Sequence, residues 1–372
     1  MASNSEGIRF LESTTNLKKV IKRVSGRTPS TEVARDISAC LQQGRLFFDA
    51  ATASPLQIRP LQLYYGMEGF AKAMVLARTL RSISTLVQSH GLSDVSDDAT
   101  TIAGMKVKFL EAGIFQDFND TVAQLGVLKY YDGSMPKQEA KPFESAIRVA
   151  GTETTLEELL RRIPSLQRSF RRTFGNDPLC WSVDINYNHG LVDLRIDDPI
   201  LFAGKDGLRD IVAKWRAKFP WLNNWCFSHA TLAWNNSVLI FTNREKPRSG
   251  ELADENLIQA NDGFSAKTNN ESGVYWLDIL PPLTGGVEGD RLAMIDKLNG
   301  VELPDSSIQF AAAFLLSSLA RYRPQVWQHA LSHSDTQNKV ADDGALSLIE
   351  DFMESALNNF PTLVRQVIDP SV

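Results

Sequence analysis

The sequence is short of the features that most often announce a function. Three cysteines, Cys40, Cys180 and Cys226, leave one without a mate and are too few for a secreted disulfide scaffold. Free thiols suit a reducing compartment. No apolar run reaches the roughly 18–20 residues that cross a bilayer. The strongest one, Ile308 to Ala320, stops at arginines. The opening residues, MASNSEGIRFLESTTNLKKVIKRV, lack the apolar centre of a secretory signal. There is no G-x-S-x-G and no H-E-x-x-H, and TGGVEGD (Thr284 to Asp290) lacks the Lys-Ser/Thr of a phosphate-binding loop. Neither sign of charge dominates. With 39 Lys and Arg against 44 Asp and Glu, the net charge is −5, which argues against a chain that coats nucleic acid by bulk charge. Internal repeats and low-complexity tracts are also missing. These absences lead to the expectation of a cytoplasmic protein with no membrane partner, no cofactor and no metal.

What is present is a chain of 372 residues, enough for one large domain or two ordinary ones. The first third reads helical. Ser30 and Thr31 are cap residues, and Val33, Ile37, Leu41 and Phe48 recur at helical spacing. Between Ile58 and Ala77, Leu63, Met67, Phe70, Met74 and Ala77 form one stripe, and further apolar residues cover the rest of the surface. A helix that is apolar all round belongs in a core, with Pro60 suited to its first turn. Ser93 to Thr101 reads as a polar loop and Tyr130 to Pro142 as a linker. Thr155 and Glu158 have capping-box spacing, and Pro164 ends that helix.

Near Pro178 the period changes. Trp181, Val183, Ile185 and Tyr187 alternate, as do residues of CFSHATLAWNNSVLIFTN, with turns at 188–190 and at Asn235-Asn236. Val274 to Leu280 is a further strand candidate, and Leu208, Ile211, Val212, Trp215 and Phe219 make an amphipathic helix. Six of the seven tryptophans lie in this stretch. Asp305 or Ser306 then caps another helix, and Leu346 to Phe360 carry a terminal one. The expected fold is mainly α with an inserted α+β module. A helical part spans 1–175, a module with a small antiparallel sheet spans 176–300 and includes a long polar loop at 244–273, and a helical part at 301–372 packs on the first.

Several ordered segments resemble the YaaC-like bacterial protein family: IRFLESTTNLKKVI, RPLQLYYGMEGFAKAMVLA, SHGLS, and FLLSSLARYRPQVW with a terminal FPTLV. The resemblance spans nearly the whole chain and implies no settled activity. The LYYGMEGFAKAMVLA segment also looks like the core helix of HEPN domains, helical modules common in bacterial toxins and defence ribonucleases. That likeness implies an arginine followed after four to six residues by a histidine, and Arg323 with His329 has that spacing. In such an enzyme the histidine moves a proton and the arginine stabilises phosphate charge without a metal. Pro324 departs from the pattern and interrupts the helix between the two.

Other candidates come from the residues themselves. Glu68 and Lys72 stand four apart in the favourable order for a helical ion pair. Buried, such a pair needs more partners, and Arg59, Arg321 and His90 are the candidates, whether for a polar network or a ligand pocket. Arg161, Arg162, Arg168, Arg171 and Arg172 form a basic segment able to contact phosphates or to serve as a solvated helix face. Lys18, Lys19, Lys22, Arg23 and Arg27 form a second such group. Cys180, His189, Cys226 and His229 superficially suggest a metal site, but strand alternation sends Cys226 and His229 to opposite faces, so both could ligate one ion only across a bulge. The expectation is a binding or assembly component for a protein partner, a second copy, or RNA or DNA, in a defence or stress setting. The alternative is a metal-independent ribonuclease.

Overall fold

Ser30 opens the first long helix as its composition directs: its hydroxyl accepts the Val33 N–H at 3.1 Å. The computed structural model describes residues 2–97, 99, 101–132, 134–188, 191–197, 208–233, 236–242, 280–285, 292–331 and 341–370. In chain order these begin with α1 (Ala2–Leu11), α2 (Thr14–Ser25), α3 (Thr31–Ala53), α4 (Arg59–Thr79), β1 (Leu92–Asp94), β2 (Lys106–Phe109) and α5 (Ile114–Ala123). Next come β3 (Val127–Asp132), β4 (Met135–Ala140), β5 (Glu153–Thr155), α6 (Leu156–Leu160), α7 (Gln167–Phe174), β6 (Cys180–Asn188) and β7 (Leu191–Asp197). Then follow α8 (Leu208–Lys218), β8 (Cys226–Ala233), β9 (Asn236–Thr242), β10 (Thr284–Gly285) and β11 (Leu292–Ile295). The last helices are α9 (Asp305–Tyr322), α10 (Pro324–Leu331) and α11 (Ala341–Ile368). The architecture is mainly helical, with sheets contributed by the middle of the chain.

The described residues divide into two units. The first comprises Met1–Leu125, Pro142–Cys180 and Ile295–Val372; the second comprises Gly126–Lys141 and Trp181–Met294. In the first unit α4 is the centre, as its all-round apolar surface requires. Leu63, Met67, Phe70 and Met74 are essentially without solvent contact. Each such side chain contributes about 1.5–3 kcal/mol by its burial. The Tyr64 ring meets Phe310 and Phe314 of α9 at 5.4 and 5.6 Å. Segments far apart in sequence therefore form one core.

The crossing of α3 on α4 depends on glycine. A Cβ at Gly69 would lie 2.9 Å from the Gly44 backbone nitrogen and 3.2 Å from the Cys40 carbonyl. One at Gly66 would lie 2.3 Å from the Phe48 ring. The two backbones touch because neither side carries a side chain at the crossing. No described helix is long and apolar enough to cross a membrane.

Beside these helices β1, β2 and β5 form an antiparallel sheet, with Leu92 opposite Phe109 and Val107 opposite Thr154. Ser93 and Asp94 thus belong to a strand, not to the polar loop expected from 93 to 101. Thr155 caps α6 by accepting the Glu158 N–H at 3.2 Å. For α9 the expected cap moves. Pro304 occupies the capping position, and Asp305 is the first helical residue and buried.

In the second unit the strand order is β10-β11-β6-β7-β9-β8, with β3 joining β6 and β4 at the side. β3–β4, β6–β7, β7–β9, β8–β9 and β10–β11 pair antiparallel, whereas β3 meets β6 in parallel, with Tyr131 opposite Asn186. The segment Tyr130 to Pro142, expected as a linker, is largely a β-hairpin, with Val127 opposite Ala140 and Asp132 opposite Met135. Trp181, Trp215 and Phe219 pack ring on ring at 5.1–5.5 Å. The turn at 189–190, the loop 244–273 and most of the strand candidate Val274 to Leu280 lie outside the described residues.

Candidate functional site

Five residues after its start, α4 places Tyr64 and Tyr65 next to each other, and one turn further it places Glu68. The i, i+4 spacing brings Lys72 Nζ to 2.8 Å from Glu68 Oε1, with the glutamate side chain only 12% exposed. Arg59 and Arg321 do not complete this network. Arg59 turns back at the helix start, donating from Nε and Nη2 to the Ser54 carbonyl at 3.2 and 2.9 Å. Arg321 donates to the Tyr65 hydroxyl instead. The partner is His90: its Nδ1 lies 3.8 Å from Glu68 Oε2 and 2.9 Å from the Tyr64 hydroxyl. Burial, with the Glu68 charge adding to it, pushes the Tyr64 hydroxyl up, so it stays protonated.

His90 is held by its backbone. The orphan amides at the start of α5 find the Ser89 and His90 carbonyls, with Ile114 N–H at 2.9 Å and Phe115 N–H at 3.1 Å. Gly91 must follow, because its φ is +73° and a Cβ there would meet Gln116 Oε1 at 2.0 Å. The chain then enters β1. Asp94, paired in register with Val107, accepts the Ser96 N–H at 2.9 Å on one oxygen and the Ser318 hydroxyl on the other.

These pieces surround an open pocket of about 740 Å³. One wall is the 90–97 segment: His90, Leu92, Ser93, Asp94 and Asp97. The other is the end of α9: Phe314, Ser318, Arg321, Tyr322 and Arg323. Phe314, Ser318 and Tyr322 step by four along the helix, so they share a face. Arg323 is the first residue to leave it, at φ −132° and ψ 53°, since the proline that follows disfavours helical backbone before it. Its Nε is buried with no hydrogen-bond partner among the described residues. The Arg321 guanidinium lies 4.5 Å from the centre of the exposed Tyr322 ring. Chemically, the pocket offers two guanidinium groups on one side and two carboxylates on the other.

Arg323 lines this pocket; His329, exposed on α10, does not. The spacing in sequence does not bring the two together there. The basic segment is mostly occupied by the fold. Arg162 is buried, donating to the Asp296 and Lys297 carbonyls at 3.1 Å each, to the Glu158 carbonyl at 2.8 Å and to its carboxylate at 2.6 Å. Arg161 serves the Asp177 carbonyl and Glu158, Arg171 pairs with Asp177 at 3.5 Å, and Arg172 donates to Ser347 at 3.0 Å. Arg168 is exposed. In the N-terminal group, Arg23 binds Asp369 at 2.7 Å and Lys18 donates to Thr31 at 2.8 Å.

No cluster of three or more metal-ligating side chains occurs among the described residues. Cys40 and Cys180 are buried free thiols. Burial pushes the Cys40 thiol up to about 11, which makes it unreactive at neutral pH. His189 and the side chains of Cys226 and His229 lie outside the described residues. Sequence reasoning missed Tyr64, Asp94, Asp97, Ser318 and Tyr322. Only the four-residue step from Phe314 to Tyr322 signalled any of them.

Among comparisons with known proteins, the family model described as YaaC-like Protein matches residues 3–368. No curated protein and no solved structure matches the chain.

Proposed function

The chain belongs to the YaaC-like protein family, and on that premise we propose that it acts as a binding or assembly component. Its partner is a protein or a nucleic acid, and its recognition surface includes the pocket at the end of α9. One observation carries the reading: Arg323 lines the pocket and His329 does not. A ribonuclease of the HEPN kind needs both groups within reach of one phosphate. A new helix starts at Pro324, directly after Arg323, which supports reading the two residues as parts of different surfaces. His90, which lines the pocket and is held against Tyr64 and Glu68, fits a preorganised binding wall.

The test uses purified full-length protein and single-stranded RNA. The binding reading expects the same background loss of RNA with wild type, Arg323→Ala and His329→Ala. Cleavage by wild type that both substitutions abolish would replace it with the ribonuclease reading. Sedimentation at micromolar concentration, with and without a short RNA, checks the positive half. An inert monomer that ignores RNA counts against both assembly and nucleic-acid binding.

A further inference from the structure

We propose that the pocket at the end of α9 binds a nucleoside monophosphate moiety. The inference rests on the binding reading above and names its ligand. The pocket's two walls set contradictory demands on a simple ligand. Arg321 and Arg323 attract an anion, and among the described residues neither pairs with a carboxylate. Asp94 and Asp97 face the same space and repel one. A plain cation meets the reverse problem. A ligand satisfies both walls only if it is anionic at one end and rich in hydrogen-bond donors at the other.

A nucleotide has that form. Its phosphate supplies acceptors for the guanidinium groups, which match phosphate oxygens in geometry as well as charge. The ribose hydroxyls and base amines donate to Asp97, which is exposed, and to the remaining lone pairs of Asp94, already fixed by Ser96 and Ser318. The aromatic demand is met as well. Tyr322 is 67% exposed, unusual for so large a ring at the end of a buried helix, and Arg321 lies against it at 4.5 Å. A base stacks on such a ring or on the guanidinium plane. The volume of about 740 Å³ falls within the roughly 300–1,000 Å³ of small-molecule sites.

The moiety is either a free nucleotide or the phosphorylated 5′ end of an RNA. Calorimetric titration of the full-length protein separates these sources, using AMP, a short 5′-phosphorylated RNA, inorganic phosphate and adenosine. The expected result is binding of AMP or of the RNA, with adenosine and phosphate each weaker. Tighter AMP assigns a free nucleotide, and tighter RNA assigns a strand end. Arg323→Ala is expected to weaken either by about tenfold or more, and Arg323→Lys to restore it only in part. Asp97→Asn, on an exposed side chain, is expected to weaken AMP but not phosphate, and keeps the test decisive if Arg323→Ala does not fold. The proposal is overturned if nothing binds at millimolar concentration, or if adenosine or phosphate alone binds as well as AMP. Affinity for AMP unchanged in both Arg323→Ala and Asp97→Asn overturns it too. Any of these, alongside RNA-dependent or self-association in sedimentation, removes the ligand and leaves the binding reading. RNA cleavage dependent on His329 removes the binding reading itself.

Discussion

Asp305 places a carboxyl group in the core at the first residue of α9. Gln309 donates to one oxygen at 2.6 Å, and the other has no partner among the described residues. The start of a helix favours an anion by about 0.3–1 kcal/mol, but removal from water works the other way and wins. Burial pushes the carboxyl from 3.8 up to about 7, against the opposing Gln309 hydrogen bond. Between those two values the folded chain keeps a proton that the unfolded chain has released. Stability contributed by this group is therefore complete below about pH 4, falls as pH rises toward about 7, and is level above it. Asp305→Asn is expected to flatten that slope and to raise stability relative to wild type above pH 7. Urea unfolding at several pH values between 4 and 8 measures it. A variant that keeps the wild-type slope assigns the pH dependence elsewhere.

At the scale of elements, the crossing of α3 and α4 shows two terms of opposite sign. Alanine is a better helix residue than glycine by about 1 kcal/mol, so Gly69→Ala gains on propensity alone. Its Cβ would lie 2.9 Å from a backbone nitrogen, and a backbone cannot rotate away as a side chain can. Overpacking of this kind costs about 1–3 kcal/mol. The expected net result is a lower denaturation midpoint, with the helix content of the folded state unchanged by circular dichroism. A raised midpoint would mean that the two helices separate without loss.

The same crossing marks what the sequence could reveal. The apolar stripe announced α4, and the spacing of Glu68 and Lys72 announced their ion pair, because both are properties of a single helix. The contact of Gly44 with Gly69 joins two helices, and nothing along either one records it. His90 could be named as a candidate partner of Glu68, but not chosen over Arg59 and Arg321, because the contact is set by where the 89–91 turn docks on α5. Strands β1, β2 and β5, with three or four residues each, are too short to show a period. They exist through their pairing, as does the β3–β4 hairpin, whose Met135 to Ala140 are all exposed. Of the candidate site, Arg321 and Arg323, at and just beyond the end of α9, were legible as chemistry. The carboxylates opposite them were not, since Asp94 and Asp97 sat in a stretch that read only as polar.

For the molecule as a whole, protection should follow depth. Native-state hydrogen exchange is expected to be slowest for amides of α4 and α9, whose side chains are buried along nearly their whole length. Amides of β4 on its exposed, solvent-facing side should exchange much faster. Equal protection in α4 and β4 would contradict this ordering. The chain passes between the two units four times, at 125/126, 141/142, 180/181 and 294/295.

That path has a consequence during synthesis. Helix α4 leaves the ribosome early, but Phe310 and Phe314, which cover Tyr64, lie beyond Asp305. At translation rates of about 5–20 residues per second, the stretch between Thr79 and Asp305 takes roughly 10–45 s to make. For that interval the central helix of the first unit stands with one face uncovered, a natural substrate for chaperones that hold nascent chains.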